Sequence, residues 1–471
     1  MFVGRKKELA AMQSRYQRQG YECFIIYGRR RVGKTALIRH FIKGKNAVFF
    51  TGMETTMQEN LENLSQCIYD AQGGDGKAPV FASFQDALDA ITSRARQEKL
   101  ILVIDEYPYL AKSYPGISSL LQVQIDHVWK QMDIKLILCG SSMSFMEKQV
   151  LGHQSPLFGR RTAQIKLQPF TIFETQDFFP AVEPEKLAVL YGITGGIPLY
   201  LQQMHGDWSI EENIKENFLN PMSYLFEEPS NLLKQEVREP ATYNAIIQAV
   251  ANGSTKISQI AMKTGLEVSA CAAFLKNLMD LGIIQKEHPL GEPRSRKSLY
   301  RIQDNMFRFW YRFVPQHYSQ IQNGMGDLAF RRIEPYLPDF MGQVFETICL
   351  QWLWRENAAG RLPLLFDEVG RWWGTDPRRR QQTELDILAQ NAEREMLFGE
   401  CKWRNEPLDV DILDLLYYRS ELFPAAKKNY ILFSKRSFSV RCQKKAEQDS
   451  RVLLMDFPHM LEIPSKQGVL R

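Results

Sequence analysis

Over the first 150 positions, short unbroken apolar runs alternate with stretches whose apolar residues recur every three or four places. ECFIIYG (22–28), NAVFFTG (46–52), KLILVIDE (99–106) and IKLILCGSS (134–142) are runs of the first kind. KTALIRHFIKG (34–44), a stretch reaching Asp70, and SSLLQVQIDHVWKQM (118–132) are of the second kind. A strand with no polar alternation is covered on both faces. With amphipathic helices between such strands, the pattern predicts a parallel sheet sandwiched by helices. QGGDGKAP (72–79) is a loop by composition.

The texture changes near position 241. ATYNAIIQAVAN, STKISQIAMKTG and EVSACAAFLKNLMDLG predict three short helices, and IIQKEHP and SLYRIQD flank LGEPRSRK as a hairpin. Three helices followed by a hairpin is the winged-helix plan. DNMFRFWYRFV (304–314) is aromatic or apolar on nearly every side and predicts a buried connecting helix. LPDFMGQVFETICLQWLWREN predicts one further long helix. ELDILAQ, MLFGECKW, NYILFSK and RVLLMDF then predict strands, with a helix in LDVDILDLLYYRSELF. That is a second α/β unit.

The chain has 471 residues, too many for one core, and 44% hydrophobic with 24% charged residues is a globular composition. No apolar run approaches ~18 residues, so no membrane span is expected. MFVGRKKELA lacks the apolar stretch of a signal peptide, and a cytoplasmic location is expected. Seven scattered cysteines, never spaced CxxC, argue against a disulfide framework and a zinc site. A net charge of +5, from 59 basic and 54 acidic residues, permits a nucleic-acid partner without demanding one.

GRRRVGKT, Gly28-Arg29-Arg30-Arg31-Val32-Gly33-Lys34-Thr35, matches GxxxxGK[ST] between a predicted strand and helix. Glycines there let backbone N–H groups wrap phosphates, and the helix N-terminus adds its dipole. Lys34 is expected to reach the β and γ phosphates of ATP and Thr35 to ligate Mg²⁺. Asp105 and Glu106 end an apolar strand at its carboxyl end, where open α/β sheets bind ligands. Asp105 suits the water shell of Mg²⁺, and Glu106 suits a base that polarises the attacking water. Ser141 and Ser142 end the next strand, either as a γ-phosphate sensor or as a helix cap.

FVGRKKELAAM, GRRRVGKT, ILVIDEYPYL, LCGSSMSFME, PLFGRRT and GGIPLYL occur in this order over roughly 1–230. Together they resemble the archaeal-type ATPases of the AAA+/STAND group of P-loop NTPases. The resemblance implies a helical lid and places 3–8 near the adenine. It makes Gly196-Ile197-Pro198 the GxP motif that couples nucleotide to lid. It makes Arg160 and Arg161 candidate arginine fingers or sensors, with a homo-oligomer expected if they act in trans; the bland alternative is a solvated basic turn.

The helix expected to read DNA, 267–282, carries one basic residue, Lys276, opposed by Glu267 and Asp280. A major-groove reader brings more Arg, Lys, Asn or Gln than that. Any DNA contact is therefore expected at the wing, through Arg294, Arg296 and Lys297, and to phosphates.

In FGECKW (398–403), Glu400 and Lys402 share one strand face. Asp386 interrupts the apolar run of ELDILAQ, and the polar 391–394 can turn the chain so that Asp386 approaches both. Two carboxylates and a lysine in this arrangement are the D…ExK set of metal-dependent phosphodiesterases. From about 337 onward the chain resembles the DUF234-type domain, itself similar to the PD-(D/E)xK nuclease superfamily. By that resemblance Glu346 is a further metal ligand. Leu385 stands where the superfamily has Pro, and WWGTDPRRRQQ is an unusual lead-in, although Arg378, Arg379 and Arg380 could hold a phosphate backbone. A salt-bridged relic of the fold is the alternative.

The expected architecture is thus α/β: a P-loop NTPase sheet with helical lid (1–235), a winged helix-turn-helix (236–305), a connecting helix (306–336) and a restriction-endonuclease-like domain (337–471). The expected function is ATP hydrolysis coupled to a nuclease-like domain acting on DNA or another nucleic acid. The rivals are a regulatory STAND-type switch whose nuclease fold serves protein contacts, and a winged-helix transcriptional regulator.

Overall fold

The computed structural model describes residues 2–292 and 297–462. Two compact units account for the chain: Met1–Pro169 with Ile197–Leu199, and Phe170–Gly196 with Tyr200–Arg471. The first unit holds β1 (Glu22–Tyr27), β2 (Ala47–Thr51), β3 (Leu100–Asp105), β4 (Ile134–Gly140) and β5 (Ala163–Lys166). They form one all-parallel sheet in the order β2-β3-β4-β1-β5. Every residue of β1, β3 and β4 is buried, as their unbroken apolar runs require, whereas the outer strand β5 alternates with solvent. Because β4 lies between β1 and β3, the ends of all three strands meet at one edge of the sheet.

The second unit begins with helices. Pro184–Thr194 is the most enclosed of them, with Leu187 through Thr194 all buried. LAVLYGIT has no polar face, and such a helix needs cover all round. It packs on the helices Asn305–Phe313 and Leu337–Ala358. A side chain at Gly192 would press on Met341 and Val344 at 3.1 Å, and Gln351 Nε2 donates to Tyr191 Oη at 2.7 Å. The observed division at Pro169 therefore differs from the expected boundary after 235, because the lid shares its core with these two later helices.

Helices Pro240–Ala251, Ile257–Thr264 and Val268–Asp280 precede an antiparallel ribbon of β6 (Ile284–Glu287) and β7 (Leu299–Ile302), in the winged-helix order. The last sheet runs β12-β11-β10-β9-β8. Its strands are β8 (Glu368–Asp376), β9 (Gln381–Gln390), β10 (Glu395–Lys402), β11 (Lys427–Ser434) and β12 (Val452–Asp456). The first three are antiparallel neighbours, and β10, β11 and β12 are parallel. Leu385, Leu388, Phe398, Leu413, Leu416 and Leu432 form the core on one face. No described helix is long and apolar enough to cross a membrane.

Candidate functional site

The loop after β1 reverses through backbone conformations that few residues adopt. Gly28 has φ 152° and Gly33 φ 88°, and Arg31 takes the left-handed region at φ 71°. A Cβ on Gly28 would lie 2.4 Å from the carbonyl oxygen of Leu167, so only glycine fits. Lys34 opens the helix Lys34–Ile42 and is buried. Its Nζ donates to the carbonyls of Gly28 (3.0 Å) and Arg29 (2.8 Å), closing the loop into a ring. Burial holds its pKa below the ordinary lysine value, since no carboxylate sits in direct contact to offset the loss of water.

Thr35 Oγ1 donates to Asp105 Oδ2 at 2.7 Å, joining the loop helix to the end of β3. Glu106 follows in the left-handed conformation, φ 48° and ψ 43°. That turn aims its carboxylate across the sheet edge to Ser141, whose Oγ donates at 2.9 Å and backbone N at 3.3 Å. Ser142 starts the short helix Met143–Phe145 without a side-chain cap bond. Arg30 Nη2 donates to Tyr109 Oη at 3.0 Å. Pro198 Cγ would lie 3.9 Å from a Cβ on Gly33, so the GxP proline abuts the phosphate loop. The structure thus brings Lys34, Thr35, Asp105, Glu106, Ser141 and Pro198 to one edge. A hydroxyl and a carboxylate side by side suit Mg²⁺, a hard ion that keeps several waters.

One residue here gave no sign in the sequence. Arg5, left-handed at φ 59°, is buried and donates to the Val32 carbonyl at 2.9 Å. The segment 3–8 therefore braces the loop from behind. Among the charges of GRKKE, nothing marks this arginine as the enclosed one.

Arg160 and Arg161 precede β5, at the sheet end opposite the loop: Thr162 pairs with Cys23, whereas the loop follows Tyr27. Arg160 Nε donates to Asp126 Oδ2 at 3.0 Å, and its Nη2 contacts the same oxygen. Nη1 donates to the Pro156 carbonyl at 2.8 Å. The arginine bonds first, and Lys130 next, hold Asp126 down to about 2. In the single chain the guanidinium of Arg160, a candidate fingertip, is engaged in fixing its own turn. Arg161 makes one long bond, to the Leu151 carbonyl at 3.4 Å.

In the second unit, Asp386, Glu400 and Lys402 converge. Lys402 Nζ lies 2.6 Å from Glu400 Oε1 and 3.4 Å from Asp386 Oδ2. Asp386 Oδ2 also accepts from the backbone N of Cys401 at 3.0 Å. Arg419 Nη1 takes the other oxygen of Glu400 at 3.0 Å. Burial pushes Glu400 up and Asp386 adds to it, while Lys402 and Arg419 pull it back. Burial opposes the charge of Lys402, but Asp386 and Glu400 outweigh it and hold its pKa above the usual value.

The ammonium stands where an ion shared by the two carboxylates would lie. Glu346 does not complete a third donor. Its Oε2 faces Arg371 Nε at 3.3 Å and Arg301 Nη1 at 3.8 Å. Burial first, then the Asp386 charge, raises it to about 7 against the pull of Arg371. Among the described residues no three His, Cys, Asp or Glu side chains are grouped to hold a metal ion. Asp386, Glu400 and Glu346, the expected metal set, are instead engaged by Lys402, Arg419, Arg371 and Arg301, and in this arrangement they do not group around one ion.

Arg371 is a second residue that the sequence did not single out. It also faces Glu384 (3.1 Å) and Glu287 of the β6–β7 ribbon (3.6 Å). Beside it, Leu290 N donates to the Arg371 carbonyl at 2.9 Å and Trp373 Nε1 to the Lys297 carbonyl at 2.9 Å. Leu290 and Lys297, which lie between β6 and β7, therefore both bond to β8. Arg294 and Arg296, on which a phosphate contact was expected to rest, lie outside the described residues. Lys276 is exposed on its helix. Arg378, Arg379 and Arg380 form the exposed turn between β8 and β9, where Asp376 accepts from the backbone N of Arg378 and Arg379.

Residues 2–204 match the family described as an ATPase domain predominantly from Archaea. Residues 310–412 match DUF234, described as archaeal and bacterial proteins of unknown function. An uncharacterized protein of Methanocaldococcus jannaschii is 31% identical over 429 residues, which is 90% of this chain and 92% of that protein. An uncharacterized ATP-binding protein of the same organism is 47% identical over 45 residues, 10% of this chain and 76% of that one. The solved Walker-type ATPase of Pyrococcus abyssi covers 66% of this chain and 96% of its own, with 19% identity and a TM-score of 0.50, a likeness of fold. The phosphate loop on a five-stranded parallel sheet, the two family matches and the near full-length relative lead to one conclusion: the chain belongs to the archaeal-type P-loop ATPases that carry a C-terminal DUF234 domain.

Proposed function

We propose that the chain binds ATP with Mg²⁺ at the loop of residues 28–35, hydrolyses it, and uses the cycle to switch its second unit. The observation that carries this reading is the Thr35–Asp105 hydrogen bond of 2.7 Å beside the ring closed by Lys34. Bound Mg²⁺ would be held by Thr35 and, through water, by Asp105, and it would offset phosphate charge. Lys34 exchanges the Gly28 and Arg29 carbonyls for phosphate oxygens, and the buried ammonium gains the anion it lacks. Glu106 offers one carboxylate oxygen to Ser141 and keeps the other to orient the attacking water. Pro198 is the route outward. It abuts the loop, and the chain crosses between the units immediately before and after Ile197–Leu199.

In this reading the DUF234 domain is a nuclease-like fold without a working metal site, used for contacts. Lys402 and Arg419 close its carboxylates against each other. A second reading, a phosphodiesterase acting on nucleic acid, is favoured by the convergence of Asp386, Glu400 and Lys402 and by the exposed Arg378–Arg380 turn. It requires Lys402 to leave the point between the carboxylates.

Glu106→Gln tests the first reading. ATP affinity should hold while kcat falls on the order of 10²- to 10³-fold, the usual cost of losing a positioned base. An unchanged kcat would remove Glu106 from the chemistry. Plasmid nicking by the parent protein with Mg²⁺ or Mn²⁺, absent in Lys402→Ala, would establish the second reading instead.

A further inference from the structure

A cavity of about 880 Å³ lies within the second unit, between the winged helix and the helices that come after it. Its walls carry Arg301 from β7, Arg308 and Arg312 from the helix Asn305–Phe313, Arg331 and Arg332 from the helix Gly326–Ile333, and His317. Among the described residues no Asp or Glu lines it. Two of the five guanidinium groups have carboxylate partners behind the wall. Arg301 faces Glu287 at 3.4 Å and Glu346 at 3.8 Å, and Arg312 pairs with the exposed Asp339. Arg308, Arg331 and Arg332 have no carboxylate within 4 Å among the described residues.

Arg308 is the most constrained. Nη1 donates to Gln343 Oε1 at 2.6 Å and Nη2 to the Phe340 carbonyl at 3.4 Å, while Nε is buried with no acceptor. The guanidinium rests on the Phe340 ring, 4.7 Å from its centre. Burial first lowers its pKa to about 9; the Glu346 charge pulls it back up, while Arg301 and Arg312 push it further down. His317 Nδ1 is likewise buried without a partner. Three of these five like charges have no carboxylate in contact among the described residues, and their mutual repulsion costs stability that a bound anion would offset. An anion with more than one charge would complement the three that remain.

We propose that this cavity binds a small, multiply phosphorylated ligand of nucleotide size. Planar guanidinium forks match phosphate oxygens two at a time, which a carboxylate ligand satisfies only once. The volume lies in the range of small-molecule sites, about 300–1,000 Å³. Tyr300, Tyr336 and Phe313 supply aromatic faces in the same wall, on which a base can stack. Arg301 and Arg308 sit inside the concavity, which suits a compact ligand better than a duplex backbone. The site is separate from the loop of residues 28–35 and does not depend on its assignment.

The test uses the full chain with Lys34→Ala, so that the phosphate loop does not report. Inorganic pyrophosphate, ADP and a 5′-phosphorylated single-stranded oligonucleotide are titrated calorimetrically at one fixed salt concentration. Pyrophosphate or ADP should bind one per chain. Arg331→Ala/Arg332→Ala changes two exposed side chains and leaves the core intact; it should weaken that binding about tenfold or more. Arg308→Gln should weaken it similarly. Affinity unchanged by the Arg331/Arg332 pair overturns the proposal. Binding of the oligonucleotide alone also overturns it and assigns the arginines to a strand end. So does the absence of binding by all three probes.

Discussion

The two charged sites of this protein handle the same chemistry in opposite ways. At the phosphate loop, the buried Lys34 bonds only to neutral carbonyls, and Thr35 and Asp105 face each other across a single hydrogen bond. The charge there is left to be completed by a ligand. Around Glu400, every carboxylate meets a cation of the chain itself: Lys402, Arg419, Arg371 or Arg301. A site short of counter-charge is built to bind; a site already balanced is built to hold its shape. The sequence offered both as candidate catalytic centres, the second with a salt-bridged relic as its alternative, and their electrostatics differ.

The sharpest break of this comparison is at Lys34. Lys34→Ala should weaken ATP on the order of 10³-fold, because two or more charge-assisted bonds of about 1.5–3 kcal/mol each disappear. Folding stability should hold, since the lost bonds go only to loop carbonyls. An ATP titration matching the parent would refute the loop assignment. The balanced site should respond in the reverse sense. Arg419→Ala leaves Glu400, whose side chain is 8% exposed, short of a partner. It should cost about 3 kcal/mol in denaturant unfolding and leave ATP turnover unaltered. A stability loss near zero would mean that Glu400 is not held by Arg419.

Protonation sharpens the contrast further. Glu346 stands at about 7, above its ordinary 4.5, so the folded state keeps a proton that the unfolded chain releases earlier. The stability this gives is full below pH 4.5 and is lost as pH rises through 7. Glu346→Gln removes the titration. The variant should therefore gain on the parent by on the order of 2 kcal/mol between pH 4.5 and 8, read from Tm against pH. A constant difference over that window would contradict the burial argument. The smallest effect is expected at Ser141. Ser141→Ala frees one oxygen of Glu106 and should lower kcat by roughly three- to tenfold with KM unchanged.

Local pattern carried the first sheet. ECFIIY, LILVID and IKLILCG are apolar throughout, and a central parallel strand has no other signature. The convergence of Asp386 with Glu400 and Lys402 was also legible, because a period of two and one polar turn fix the geometry of a hairpin. What the residues could not reveal is which partner each charge takes. Arg371 in GRWWG reads as an ordinary strand cation, and only the folded chain puts Glu287, Glu346 and Glu384 around it. The arginine cavity is drawn from a strand and two helices spread over 301–332, with no spacing rule to announce it. The boundary after Pro169 was hidden for the same reason. LAVLYGIT declares that it is enclosed but not by what.

The contacts of Leu290 and Lys297 with β8 bear on how such chains can be recombined. Leu290 and Trp372 both pack against the core of the last sheet, and Glu287 shares Arg371 with Glu346. A cut between 305 and 337 would strip Arg371 of one acid and uncover an apolar side chain on each fragment. The ribbon and the last sheet are consequently one heritable part. A fusion that borrows the DUF234 sheet without residues 283–302 inherits a cation short of one acid and an open seam, whereas one that takes 240–462 together carries the seal with it.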